Sequence, residues 1–249
     1  MEHANRWSQC EVAVNNPTEW LEFSERFAVD NEIVGTPARM SDSCAIKFKG
    51  KGNRLVIEDG VEFARVTLKF IGDGNTILFR RGSRPSGVFT VGGKGTIEVG
   101  ERTRMNKPCW FQAIEGRTIT IGAECLLADI RVRTSDVHSI LSTITGRRLN
   151  LARDVAIGER VWIAEKAHVY KGVTIGEGSI IGAHAIVVKA IPPDCLAVGN
   201  PARVVKENVT WVRKLLGPEG DPGKIKSAVI HGVTLGAQLL DKARRGRSS

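Results

Sequence analysis

Leu151-Ala-Arg-Asp-Val-Ala, Ile157-Gly-Glu-Arg-Val-Trp, Ile163-Ala-Glu-Lys-Ala-His, Val169-Tyr-Lys-Gly-Val-Thr, Ile175-Gly-Glu-Gly-Ser-Ile, Ile181-Gly-Ala-His-Ala-Ile: an aliphatic residue opens every hexad, and Val187 continues the register. The fifth position holds Val155, Val161, Ala167, Val173, Ser179 and Ala185, all small or β-branched. A period of six fits neither a helix at 3.6 nor simple two-residue alternation along one long strand. It fits a coil of three short strands per turn. The lead aliphatic then points inward and stacks on its equivalent one coil away. The small fifth residue fits where the corner narrows, and the glycines at 158, 176 and 182 relieve the backbone at the bend.

Fragments of the pattern extend upstream. Ile57 to Val61 before Phe63, Ile71-Gly-Asp-Gly-Asn75 before Ile77, Val99-Gly-Glu-Arg-Thr103 before Met105, and Ile121-Gly-Ala-Glu-Cys125 before Leu127 hold the register. Segments 80–87 and 114–118 interrupt it and read as loops ejected from the coil. The expected organisation is a mainly β chain: an N-terminal cap over 1–50, a stacked β-solenoid over 51–206, and a C-terminal extension over 207–249. In the cap, Asn16-Pro17-Thr18-Glu19 starts a predicted helix over 17–29 that covers the open first coil. Segments 209–216 and 224–244 read as helical or irregular, separated by a Gly/Pro linker at 217–223.

The 249 residues contain 42% hydrophobic and 25% charged residues, which excludes a wholly disordered chain. Aromatics make up only 6%, which points to an interior of narrow layers of branched aliphatics. No apolar run approaches the ~18 residues of a membrane span. No secretory signal is visible, so a soluble cytoplasmic protein is expected. Five widely spaced cysteines without a CxxC pair argue against a disulfide framework or zinc knuckle. The net charge of +9 suits an anionic polymer or a polyphosphate ligand. No nucleic-acid-binding motif accompanies it. The cations of the last eight residues read as a solvated terminus.

The longest break in the regular hexads, 133–150, contains Asp136, His138 and Ser139. A loop held on a rigid scaffold is a favoured place for catalysis. Histidine accepts and returns a proton near neutrality. Asp136 or a nearby carbonyl is expected to set its tautomer.

Ser135-Asp-Val-His138, Thr145-Gly146, Leu149-Asn150, Ile157-Gly-Glu-Arg-Val-Trp-Ile163, Lys171-Gly-Val-Thr-Ile-Gly176 and Gly199-Asn-Pro-Ala-Arg203 together resemble the hexapeptide-repeat acyltransferases. The nearest branch is the sugar and polysaccharide O-acetyltransferases, and the resemblance covers about 118–207. It implies a left-handed parallel β-helix, a homotrimer, acetyl-CoA as donor, no metal, and active sites between subunits. Carried onto this chain, it makes His138 the catalytic base and groups Asp136 and Trp162 with it. Asp136 and Asn150 would contact the acceptor, while Ser135 and Ser139 would be structural. Trp162, Ala164, Ala183, Lys189, Asn200, Pro201 and Arg203 would line the CoA groove. The chain departs from the family pattern at Leu141, Ala164, His184 and Ala190, and the first and third of these sit where groove shape is set.

Three other readings use the same solenoid. A γ-type carbonic anhydrase would need three metal-binding histidines, two of them close in sequence, whereas His138, His168 and His184 are widely spaced. A non-catalytic scaffold has no use for a histidine beside an acid on a long loop. An N-acetyltransferase acting on an amino-sugar nucleotide is the nearest enzymatic alternative. For the acceptor itself, positive charge favours a carbohydrate of the acidic polysaccharide class, without nucleic acid and without an integral membrane segment.

Overall fold

The computed structural model describes residues 11–14, 19–20, 30–41 and 44–220. They form a parallel β-helix of about seven left-handed turns, the opposite of the usual hand of parallel crossovers. Its cross-section is a triangle. Face A is an eight-stranded sheet running from Glu11–Val14 and Cys44–Lys49 to Ile186–Val187. Face B has seven strands, from Glu32–Val34 to Thr174–Ile175. Face C comprises the pair Arg39–Met40 and Glu62–Phe63, an Arg84–Arg104 bridge, and the six-stranded sheet that begins at Arg104–Lys107. Each turn runs B, C, A, so three corners (B/C, C/A and A/B) recur along the axis.

Both hexad positions face inward as expected. Ile157, Ile163, Val169, Ile175, Ile181 and Val187 are buried, and so are all six fifth-position residues. Two residues assigned to the lead position do not follow. Leu151 is 58% and Ile71 49% exposed, because Ile71 comes one residue after the inward Phe70 at the end of its strand and Leu151 lies outside the strands, at the end of the insertion. The residue equivalent to Ile157 in the earlier coils is Ile57, Phe79, Val99 or Ile121.

The upstream coils are longer, which is why the hexads blur there. Leu55 stacks on Ile77 and Ile97 on Ile119, each twenty-two residues on, whereas Ile157 stacks on Ile175 after eighteen. Longer sides enclose a wider interior, and phenylalanine fills it. Phe48 stacks on Phe70 at 4.5 Å and Phe89 on Phe111 at 4.9 Å, while Phe79 meets Phe89 edge-on. The aliphatic-only interior expected from composition therefore holds only in the later coils. A buried amide ladder adds to the wide part. The Asn53 side chain donates to Asn31 Oδ1 (2.9 Å), and the Asn75 side chain donates to Asn53 Oδ1 (2.8 Å).

The supposed ejected loops belong to the coils. Ser83, Pro85, Ser86 and Gly87 are buried, and Ile114 to Thr118 forms a tight corner against Thr134 and Asp154. The solenoid also starts before residue 51, since Glu32–Val34 already pairs in parallel with Arg54–Ile57. The bend glycines serve another purpose than expected. A Cβ on Gly122 would lie 2.6 Å from the backbone of Gly158 and Glu159, and one on Gly158 2.7 Å from Glu177 N. Their φ values are not left-handed; stacked coils simply approach too closely there for a side chain.

Both ends are covered. Trp20, in the two-residue helical stretch Glu19–Trp20, is fully buried and packs edge-on against Phe63 at 5.9 Å. The rest of the predicted helix over 17–29 lies outside the described residues. At the far end Arg203–Glu207 turns back antiparallel on Cys195–Val198 and covers the last edge of face C. The cis Asn200–Pro201 turn leads into Ala202, whose N–H caps the Ile186 carbonyl. This compact unit ends at Val209. Residues 210–220 carry no helix or strand, and 224–244 lie outside the described residues.

Candidate active site

Corner A/B of the coil that ends in Arg131–Arg133 carries the long insertion. Its start is anchored in the wall: Thr134 is buried and its Oγ1 accepts the Ile114 N–H at 3.0 Å. Ser135, also buried, bonds Glu115 and accepts the Val137 N–H at 3.0 Å. That contact holds Val137 at φ +70°, a left-handed conformation costly for a β-branched residue. The next residue, His138, is thereby turned outward, and its side chain is exposed. Ser135 is thus bonded within the base of the loop.

Asn150 closes the loop. Its Nδ2 donates to Asp136 Oδ2 (2.8 Å) and to the His138 carbonyl (2.7 Å), and its Oδ1 accepts the Ile140 N–H (2.7 Å). Lys171, from the next coil, donates to Asp136 Oδ2 and to the Asn150 carbonyl (3.1 Å). Asp136 is therefore directed at Lys171 and Asn150 rather than at the His138 ring. Lys171 first, and Asn150 with it, hold its carboxyl below the ordinary range. Asp136 and Asn150 thus make these hydrogen bonds within the loop and to Lys171. Among the described residues no hydrogen bond joins Asp136 to the His138 ring.

Glu115 is the second anchor, and sequence reading missed it. Arg148 donates two bonds to it, Nη1 to Oε2 (2.6 Å) and Nη2 to Oε1 (2.9 Å). Arg148 chiefly, then Ser135, lowers the Glu115 carboxyl to about 2. Lys171 and Arg148 were missed as well. None of the three carries a periodic signal, though Lys171 stands in a motif shared with the family.

Because the Glu115 value is depressed, its contribution is present at neutral pH and lost on acidification. Between about 4.5 and about 2 the unfolded chain takes up a proton that the folded one refuses. Glu115→Gln is expected to destabilise the loop by about 1–2 kcal/mol at pH 7, after allowing for solvent screening. The difference from wild type should vanish near pH 2. Hydrogen exchange at 135–150 across pH reads this directly, and a difference independent of pH would refute the anchor.

The residues expected to hold CoA fall on two sides. Trp162 lies outward on face C, 38% exposed, in register with Leu126 and Ile180. Ala164 and Ala183 sit at corner C/A, and Asn200 and Pro201 close over the same corner. Arg203, exposed, begins the final strand on face C. Lys189 is instead at corner A/B, one coil beyond Lys171. A depression of about 510 Å³ lies against corner C/A, lined by Asp129, Arg131, Lys166, His168, His184 and Asn200. His184, one of the departures, thus shapes this groove. Leu141, another, is exposed on the loop and bridges Arg148.

A six-repeat solenoid bearing such a loop defines a class. Residues 154–189 match the family model described as bacterial transferase hexapeptide (six repeats). The crystal structure of the polySia-specific acetyltransferase NeuO superposes with a TM-score of 0.71 and 32% identity, covering 76% of this chain and 88% of that one. The chain belongs to the hexapeptide-repeat acyltransferase family. Within it, the polysialic acid O-acetyltransferase OatWY is also similar, with TM-score 0.53, 27% identity, and 76% and 91% coverage. The polysialic acid O-acetyltransferase of Escherichia coli O1:K1 is 37% identical over 128 residues, 51% of this chain. That match spans 40% of the relative's length. No helix of the described residues is long and apolar enough to cross a membrane.

Proposed function

We propose that the protein is an acetyl-CoA-dependent O-acetyltransferase of an acidic polysaccharide, acting in the cytoplasm as a homotrimer. The observation that carries this reading is His138, exposed near the base of a loop pinned by Glu115, Arg148, Asn150 and Lys171. Similarity to transferases named for polysialic acid supports the acceptor class.

His138 would accept the proton of the attacking sugar hydroxyl as that oxygen adds to the thioester carbonyl, and would return it to the departing sulfur. No acyl-enzyme is required, in keeping with the internal role of Ser135. The donor's part is the activated acetyl group. On this chain Trp162 and the small residues Ala164 and Ala183 fit a narrow pantetheine, while Lys166 and Arg203 supply cations for its phosphates; Lys189, at corner A/B, would face a CoA held by a neighbouring copy.

The same layout supports assembly with neighbouring copies. His138 is at corner A/B and Trp162 on face C, across the triangle from it, so one chain cannot bring them together. The loop also exposes Val137, Ile140, Leu141, Ile144, Leu149 and Leu151, an apolar surface suited to a neighbouring copy.

Calorimetric titration with CoA and acetyl-CoA, followed by acetyl transfer to polysialic acid, tests the reading. Absence of both binding and transfer would end it. Trp162→Ala is expected to weaken CoA or acceptor binding roughly tenfold, as for loss of a buried aromatic contact. Thermal stability should hold, because the side chain points out of the core. Unchanged kinetics would assign Trp162 to packing alone.

A further inference from the structure

Charged residues on faces B and C are largely paired in ladders. Arg54 meets Glu32, Arg80 bridges Glu58 and Glu98, and Arg84 meets Glu62. Face A is different. Burial alternates along Cys44–Lys49 and Val66–Ile71, so Ile46 and Leu68 point in and Lys47 and Lys69 point out. Parallel register sets Lys47 directly beside Lys69, and the same row continues through Thr90 and Gln112 to Arg133. Neighbouring strands lie about 4.8 Å apart, so the row is about 19 Å long.

Among the described residues, Lys47, Lys69, Arg131 and Arg133 have no carboxylate within ion-pair distance. Like charges directly opposite in a sheet destabilise it; backbone register places Glu11 opposite Lys47 at the outer end of the row, whereas Lys69 stands between Lys47 and Thr90 with no acid opposite it. Arg133 instead lies over the rings of Trp110 and Tyr170, at 5.7 and 5.4 Å from their centroids. Those rings leave a half-exposed aromatic platform beside the cations. Burial first, then Arg131 and Arg133, lowers the pKa of His168 on the same face, and Asp129 opposes them. The row ends at Arg133, five residues before His138.

We infer that face A is the docking track for an extended acidic glycan, whose carboxylates lie along the Lys47–Lys69–Arg133 row while a downstream sugar reaches His138. The inference rests on the proposed acceptor class and extends it to a surface several coils from the chemistry. Monomers that cannot reach back to Lys69 gain nothing from the row. Long chains gain affinity that salt screens.

Lys69→Glu tests this without touching the active-site loop. It replaces a like-charge pair with a carboxylate directly opposite Lys47, so the fold should hold or gain slightly; Lys69→Gln serves as a second variant. The probes are long-chain polysialic acid and its dimer, used for acetyl transfer and for direct calorimetric binding. Wild type is expected to prefer the long chain and lose that preference at high salt. Lys69→Glu should raise the KM for the long chain roughly tenfold, with kcat and all dimer kinetics unchanged. Long-chain kinetics and binding unaltered in both variants would overturn the track. So would displacement of the polymer by an oligodeoxynucleotide of equal charge at lower concentration, which would mark a nucleic-acid surface. If neither probe is acetylated, the function reading fails separately. The track then stands if the wild type binds the long chain and Lys69→Glu does not, and falls if neither binds it.

Discussion

His138→Ala lowers acetyl transfer by about 10²–10⁴-fold, the span expected for loss of a general acid–base group, while the chain folds and binds CoA as before. The separation of effects follows from the geometry. The imidazole is exposed, and the loop contact at this residue is made by its carbonyl, which accepts from Asn150 and survives the substitution. Substitutions at such exposed positions change stability by less than about 0.5 kcal/mol. Steady-state turnover on polysialic acid, with calorimetry of CoA and a melting curve, gives the three readouts. Wild-type turnover in the mutant would remove His138 from the chemistry. A collapse of melting temperature with turnover would show that the residue holds the loop instead.

Phe89→Ala is expected to cost about 3–5 kcal/mol of stability. The ring is fully buried, stacked on Phe111 and met edge-on by Phe79. It bridges consecutive wide coils, and a β-helix propagates by such coil-to-coil contacts. The gap left by the ring cannot close without shifting strands whose register is fixed on both sides. Val169→Ala in the narrow coils removes fewer atoms and should cost less. Urea denaturation of both variants measures the difference. A loss below about 1 kcal/mol at Phe89 would mean that the wide coils repack freely.

The two results together would separate the parts of the molecule. The wide coils supply stability and, on our inference, the acceptor track. The insertion at corner A/B supplies the proposed base. The narrow coils beyond it supply the wall on which the donor would lie. Lys171 and Glu115 belong to coils on either side of the loop, so the loop's conformation depends on correct stacking as well as on its own sequence.

Much of this was legible in the chain. Ile157 through Val187 set the coil, its inward positions and the outward direction of Trp162. The Ser135–His138 run, with Asn150, marked the loop that carries the proposed base. The first coils were harder because their period is twenty-two rather than eighteen. The signals there were Asn31, Asn53 and Asn75, and Phe48 with Phe70, each recurring at that spacing. A search tuned to hexads reads them as noise and places the solenoid's start too late.

What the sequence alone determined is the repeat, because burial of every sixth side chain is a local, periodic requirement that each coil imposes independently. What only the tertiary structure decided is which residues meet across coils. The pairing of Glu115 with Arg148, and of Asp136 with Lys171, spans 33 and 35 positions, and so does not recur as a pattern. The unpaired row on face A is equally invisible in one dimension. Its cations lie twenty or more positions apart in the chain, and strand register brings Lys47 beside Lys69 and aligns Arg133 with them.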